Sequence, residues 1–220
     1  SILKNYRKSL LKNKSFIDVT DFGAGSKVFK SNRRQISKIA KTAGISSRRA
    51  ELLFRVTNYF QPKNVLEIGT SLGLATSALA LGNPKAKIIT LEGCPETANQ
   101  CQLQFQKFNF NNVDSVITEF ENYLQDIKLR LKTETENFDL IYFDGNHSKK
   151  ATLAYFDLLL TTITNDSVWI FDDIHWSPEM EEAWEAIKNH PKVTVTIDTF
   201  QWGFVFFRYE QEKEHFVIRA

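Results

Sequence analysis

From residue 64 onward the chain alternates short unbroken apolar runs with longer stretches patterned for helices. The runs NVLEIG (64–69), AKIITLE (86–92), VDSVIT (113–118), FDLIYFD (138–144) and DSVWIFDD (166–173) predict five strands. Runs without polar alternation suit strands covered on both faces. Between them, LATSALALG, PETANQCQLQFQKF (95–108), FENYLQDIKLRL and KKATLAYFDLLLTTI carry helical composition. Pro95 stands at a helix start, where its missing N–H costs nothing. Strand–helix alternation predicts a mostly parallel α/β sheet, doubly wound with helices on both faces.

The pattern changes after the helical stretch SPEMEEAWEAIKNH. KVTVTIDTF (192–200) and GFVFFRYE (203–210) are separated only by Gln201 and Trp202, which predicts an antiparallel C-terminal hairpin. Residues 1–63 hold no strand–helix unit and read as mostly helical, with SSRRAELLFRVTNYF (46–60) a helix capped by Ser46 or Ser47. The chain therefore divides into an N-terminal arm, residues 1–45, and a main domain, residues 46–220. There is no internal repeat.

Composition adds a bulky core, with 42% apolar residues and 18 Phe. No apolar run approaches the roughly 20 residues that span a bilayer. The opening SILKNYRKSLLKNK carries lysines throughout and no apolar signal core, so a soluble, cytoplasmic protein is expected. The chain opens on Ser1, which leaves open what precedes it. Cys94 and Cys101 lie about 10 Å apart along a helix, beyond the roughly 7 Å of a disulfide, and read as free thiols. Charge is uneven: residues 1–63 carry 15 Lys and Arg against Asp18, Asp21 and Glu51, a net +12, and the remainder carries −10. The basic segment suits an anionic small molecule, nucleic acid or a lipid surface, or it neutralises the acidic remainder.

All five predicted strands end in acid or lead into it: Glu67, Glu92, Glu119, Asp144, and Asp172 with Asp173. Ligands bind at the carboxyl ends of parallel strands, so these acids share one edge. After Glu67, the loop Gly69-Thr70-Ser71-Leu72-Gly73 leads into a helix whose first N–H groups are free for a ligand. Glu92, followed by Gly93, ends the next strand and suits the two hydroxyls of a ribose. Loop, helix, strand and acid make a complete nucleoside-binding unit. DFGAGS (21–26) looks like a second glycine loop, yet no strand and no acid follow at the required distance. It reads as a turn in the arm. A nicotinamide dinucleotide is disfavoured, because EIGTSLG lacks the G-x-G-x-x-G pattern and the acidic edge repels a pyrophosphate.

VLEIGTSLGLAT and IITLEGCPE resemble the first two motifs of the class I S-adenosylmethionine-dependent methyltransferases. The resemblance implies a Rossmann-like, seven-stranded sheet with a reversed last strand. It also implies a cofactor site of Glu67, Gly69, Thr70, Ser71, Gly73, Glu92, Gly93, Glu119, Phe120 and Asp144. FDLIYFDGNH followed by VWIFDDIHW is similar to the metal-dependent O-methyltransferases of the catechol and caffeoyl-CoA type, and to a broader bacterial group with DGxH and DDIHW motifs. By that resemblance Asp144, Asp172 and Asp173 would hold Mg²⁺, Ca²⁺ or Mn²⁺, all suited to hard oxygen ligands. That family's general-base lysine is replaced by His147, which with Asp144 forms the expected catalytic pair.

His175 and Trp176, just past the acidic pair, are candidate acceptor contacts, as are Arg33 and Arg34 in an arm that would cover the site. Trp169 and Trp184 sit in strand and helix patterns and read as core. The favoured expectation is methyl transfer to oxygen on a small hydroxylated molecule. Methylation of RNA or another anionic polymer, and S-adenosylmethionine binding without turnover, are the alternatives. Neither the acceptor's identity nor a possible homodimer is legible.

Overall fold

The computed structural model describes residues 1–20, 31–130 and 137–219. In chain order it begins α1 (Ile2–Lys12), β1 (Phe16–Asp18), β2 (Arg33–Gln35), α2 (Ile36–Thr42), α3 (Ser47–Phe60) and β3 (Asn64–Ile68). There follow α4 (Leu74–Gly82), β4 (Lys87–Glu92), α5 (Pro95–Lys107), β5 (Val113–Ile117), α6 (Phe120–Arg130) and β6 (Leu140–Phe143). Next come α7 (Lys149–Leu159), β7 (Val168–Asp172), α8 (Pro178–Asn189), β8 (Val195–Asp198), β9 (Trp202–Phe206) and β10 (Glu214–Val217). The sheet runs β10-β8-β9-β7-β6-β3-β4-β5, mostly parallel, as the alternating pattern predicts. It holds eight strands rather than the seven expected, because β10 adds in parallel to the outer edge of β8.

The chain packs as two compact units, one of Ser1–Lys63 with Gly69–Glu119, the other of Asn64–Ile68 with Phe120–Ala220. In the first unit, Ser1 and Ser46 cap α1 and α3 by accepting N–H groups that a helix start leaves unpaired. The N-terminal segment is mostly helical as expected, and it adds a short antiparallel pair, β1 with β2. Tyr6 and Leu10, one turn apart on α1, are buried, and α1 packs against α2, α3 and α4. Lys4, Lys8 and Lys12 on the same helix stay exposed. Strands β4 and β5 run parallel with α5 against them.

In the second unit β3, β6 and β7 run parallel, and every residue of β6 and β7 is buried. Phe143 and Phe171 stack across these strands at 4.1 Å, and Trp169 packs edge-on against Phe156 and Phe207. Trp169 and Trp184 are core residues, as their patterns predict. The C-terminal hairpin is present, with β9 antiparallel to both β7 and β8. Its turn is Thr199–Gln201 rather than the expected Gln201–Trp202. The Trp202 indole is 1% exposed and opens β9, while Phe200 takes the left-handed turn position at φ 72°. Burying so large an apolar surface outweighs a tighter turn.

Candidate active site

The loop Gly69–Gly73 is built inside the first unit. Gly69 and Thr70 both donate their N–H to the Leu91 carbonyl at 3.0 Å, and the Thr70 and Thr90 hydroxyls meet at 2.5 Å. Gly69 at φ 103° and Gly73 at φ 73° supply left-handed turns that side chains with a Cβ resist. Gly73 stands at the N-cap of α4 with no side chain accepting from the first turn. What approaches Gly73 is protein: a Cβ there would lie 2.5 Å from the Tyr6 hydroxyl, 2.6 Å from Cys101 Sγ and 2.7 Å from the Phe105 ring.

Glu92, at the end of β4, accepts the Ser71 N–H at 2.8 Å on one carboxylate oxygen and the Cys94 N–H at 2.9 Å on the other. Gly93 is half-buried beside it, and Glu119 is exposed beyond β5. Arg33 and Arg34 lie in or beside β2. The Arg33 guanidinium stands 5.4 Å from the Phe16 ring centroid, and Arg34 Nε donates to the Ser31 carbonyl at 3.3 Å. DFGAGS lies outside the described residues. Cys94 and Cys101 are free and buried.

The second unit gathers the remaining acids. Glu67 on β3 is fully buried and registers opposite Tyr142 on β6. The Asp144 N–H donates to the Ile68 carbonyl at 2.9 Å, which sets its carboxyl at the end of β6. Burial, then the charge and hydrogen bond of Asp172, then Asp173 and Glu67 push the Asp144 carboxyl well above the usual carboxylate range. Asp172 is 4% exposed, and its oxygens accept from the Tyr142 hydroxyl at 3.2 Å and the Asp173 N–H at 2.9 Å. Asp173 itself takes the left-handed region at φ 54°, which turns the chain out of β7.

His147 brings Nε2 to 3.7 Å from Asp144 Oδ1, so the expected catalytic pair is in reach. The Asn146 backbone at φ 52° makes the turn between them, and Ser148 caps α7 immediately after. The Phe120 ring lies over Gly145 and stands edge-on to Tyr155. His147 and Asp172 also line a cavity of about 10 Å³ with Thr152, Tyr155 and Met180, near the lower bound for one water.

Trp176 is 47% exposed and its N–H donates to the Asp173 carbonyl at 2.9 Å. His175 is held between two acids, with Nε2 at 2.9 Å from Asp198 and Nδ1 at 3.1 Å from Glu181, and its ring stacks on Phe200. Burial lowers its pKa, but the bonds and charges of Asp198 and Glu181 outweigh that, and the net shift is upward. Among the described residues no three His, Cys, Asp or Glu side chains stand in metal-holding geometry.

Sequence reasoning missed Tyr142, whose hydroxyl braces Asp172, and Tyr6, whose hydroxyl braces the glycine loop. A Tyr in an otherwise unbroken strand run is a weak signal. Tyr6 with Leu10 is an apolar pair at helical spacing inside a lysine-rich stretch, which was legible.

Residues 66–174 match the family described as a methyltransferase domain. This chain carries a methyltransferase domain. The match bears out the resemblance to S-adenosylmethionine-dependent methyltransferases and covers the glycine loop, Glu92 and the acids through Asp173. An O-methyltransferase from Bacillus cereus, in complex with S-adenosylhomocysteine, superposes with a TM-score of 0.63 at 22% identity, over 75% of this chain and 83% of its own. The methyltransferase PaMTH1 of Podospora anserina, also bound to S-adenosylhomocysteine, gives 0.68 at 16% identity over 94% and 88%. TomG of Streptomyces achromogenes, an O-methyltransferase of tomaymycin synthesis in complex with S-adenosylmethionine, gives 0.64 at 17% over 76% and 82%. At these identities the likeness establishes the methyltransferase fold. No helix among the described residues is long and apolar enough to cross a membrane.

Proposed function

We propose that this methyltransferase transfers its methyl group to a hydroxyl oxygen of a small molecule. The observation that carries this reading is His147, an imidazole base whose Nε2 stands 3.7 Å from Asp144 Oδ1 where β6 ends. S-adenosylmethionine supplies an electrophilic methyl on a positively charged sulfur. Glu92, the acid that ends β4, holds the ribose hydroxyls, and its carboxylate ties it to the Gly69–Gly73 loop through the Ser71 N–H at 2.8 Å. The first turn of α4, with no side-chain cap, keeps backbone N–H groups available. His147 takes the hydroxyl proton on Nε2, with the Asp144 carboxyl 3.7 Å away. A near-attack alignment of oxygen, methyl carbon and sulfur then depends on positioning.

The donor chemistry of Asp144, Asp172 and Asp173 fits a hard divalent cation, because carboxylates pressed together are relieved by positive charge. Asp172 already accepts from the Tyr142 hydroxyl and the Asp173 N–H and hydrogen-bonds Asp144. These three residues would hold the ion, and it would make an acceptor hydroxyl more acidic. Tyr142 sets the orientation of Asp172 in either case.

Calorimetry with S-adenosylhomocysteine tests the cofactor half. Wild type is expected to bind, and Glu92→Ala to bind at least about tenfold more weakly, in line with the loss of one charge-assisted bond. Transfer of labelled methyl to a panel of small hydroxylated molecules tests the rest. Wild type that ignores S-adenosylhomocysteine, or Glu92→Ala that binds it normally, would overturn the assignment.

A further inference from the structure

The underside of the glycine loop is closed by the first helix of the chain. Tyr6 on α1 is fully buried, and its hydroxyl donates to the Leu72 carbonyl at 2.9 Å. Leu72 is itself 2% exposed and sits between Ser71, whose N–H meets Glu92, and Gly73, the N-cap of α4. The same hydroxyl lies 3.9 Å from Cys101 Sγ on α5, and the Tyr6 ring packs against Phe105, Phe108 and Phe110 at 5.1–6.4 Å. Gly73 completes the fit, since any side chain there would strike Tyr6, Cys101 and Phe105.

We propose that Tyr6 is a positioning residue for S-adenosylmethionine binding, holding the Gly69–Gly73 loop in its binding conformation through the Leu72 carbonyl. The inference rests on the cofactor assignment made above. Between Gly69 and α4 the loop takes positive φ at Ser71, 48°, and at Gly73, 73°, on either side of Leu72. Left-handed backbone at a residue with a Cβ costs energy and persists only where surrounding contacts hold it. The Gly73 N–H closes this turn onto the Thr70 carbonyl at 2.9 Å, and two side chains reach it: the Glu92 carboxylate on the Ser71 N–H, and the Tyr6 hydroxyl on the Leu72 carbonyl. The first is also the proposed ribose ligand. The second comes from α1, a helix of the basic N-terminal arm.

Removing the hydroxyl leaves the Leu72 carbonyl among aromatic rings without this donor, so the loop relaxes toward other conformations that satisfy it. The cofactor then binds only the fraction that keeps the original turn, and its apparent affinity falls by that fraction. The chemical step is untouched once the cofactor is bound, which separates this role from catalysis.

The test is Tyr6→Phe, which keeps the ring against Phe105, Phe108 and Phe110 and deletes only the hydroxyl. Calorimetry with S-adenosylhomocysteine, well below the melting temperature of both proteins, is expected to show affinity reduced about threefold to tenfold, as for a loop competent between a third and a tenth of the time. KM for S-adenosylmethionine should rise by the same factor, with kcat unchanged within about twofold. Ser9→Ala is the control. It cuts the bonds from Ser9 Oγ to Gln104 on α5 and to the Tyr6 carbonyl, both 2.8 Å, while keeping the Tyr6 hydroxyl, and should leave cofactor affinity at the wild-type value. A Tyr6→Phe protein that melts lower yet binds S-adenosylhomocysteine like wild type would overturn the proposal, as would Ser9→Ala weakening binding equally. Failure of wild type to bind would instead sink the cofactor assignment itself.

Discussion

Adding one methyl group at Gly203 should destabilise the second unit measurably. Gly203 lies in the middle of β9, paired with Phe171 on one side and Asp198 on the other. A Cβ there would lie 2.5, 2.6 and 2.9 Å from three carbons of the Trp184 ring, against about 3.5–4.0 Å for a comfortable carbon contact. The strand is held by ladders on both edges, and Trp184 is 2% exposed on the buried face of α8 beside Met180, Ala183 and Ile187. One of them must retreat by about 1 Å to restore normal contact. Overpacking of this kind costs about 1–3 kcal/mol. Alanine's smaller entropy loss on folding returns about 0.5–1 kcal/mol, so the net loss is about 1–2 kcal/mol.

For a chain of this length each kcal/mol moves the melting temperature by about 2–4 °C, so Gly203→Ala should melt about 2–8 °C below wild type by circular dichroism. Trp184→Phe removes the outer part of the indole. If the clash is the cause, the double variant should lose less than the two single losses added together, by about 1 kcal/mol in the cycle. An unchanged melting temperature for Gly203→Ala, or strictly additive losses, would refute the reasoning.

Two further outcomes follow from the charged groups. His175→Gln removes an imidazolium held between Asp198 and Glu181. A raised folded pKa gives stability that is fully present below the ordinary value of 6.5 and lost as pH rises through the folded one. The melting difference from wild type should therefore be widest near pH 6 and close toward about pH 9 by scanning fluorimetry; a difference constant across that range would mean a neutral His175. Asp144→Asn replaces a carboxyl whose ionisation is opposed by burial and by Asp172, Asp173 and Glu67, and in chelator should melt about 2–4 °C above wild type. Adding Mg²⁺ should raise wild type and leave the variant unmoved, and a wild type indifferent to Mg²⁺ would rule against the three-carboxylate ion site.

What the pattern could and could not reveal follows from where each segment buries its side chains. LIYF and VWIFD are legible because β6 and β7 are covered on both faces, so no solvent-facing position interrupts them. EHFV is illegible because β10 is a four-residue edge strand with every position exposed, so burial writes no pattern into it. The hairpin was readable, but its turn was misplaced because an aromatic residue in a short linker looks like loop until the core receives it. His147 was within reach of sequence reasoning, since three positions after a strand-end acid is one turn of tight chain. Its neighbour Tyr142 was not, because its hydroxyl has meaning only once β7 places Asp172 opposite.

The first helix shows the same limit from the other direction. Its lysines dominate composition, and composition suggests an arm facing an anionic acceptor. Fifteen bases in 63 residues are visible without any structure. One buried tyrosine among them is not conspicuous, yet it alone reaches from α1 to the Leu72 carbonyl of the glycine loop. Charge is read by counting and acts over the whole surface, whereas a hydroxyl acts at a single acceptor under 3 Å away. If Tyr6 positions the loop as proposed, loss of the first helix weakens cofactor binding through Leu72 and Gly73, whatever the basic surface contributes on the acceptor side.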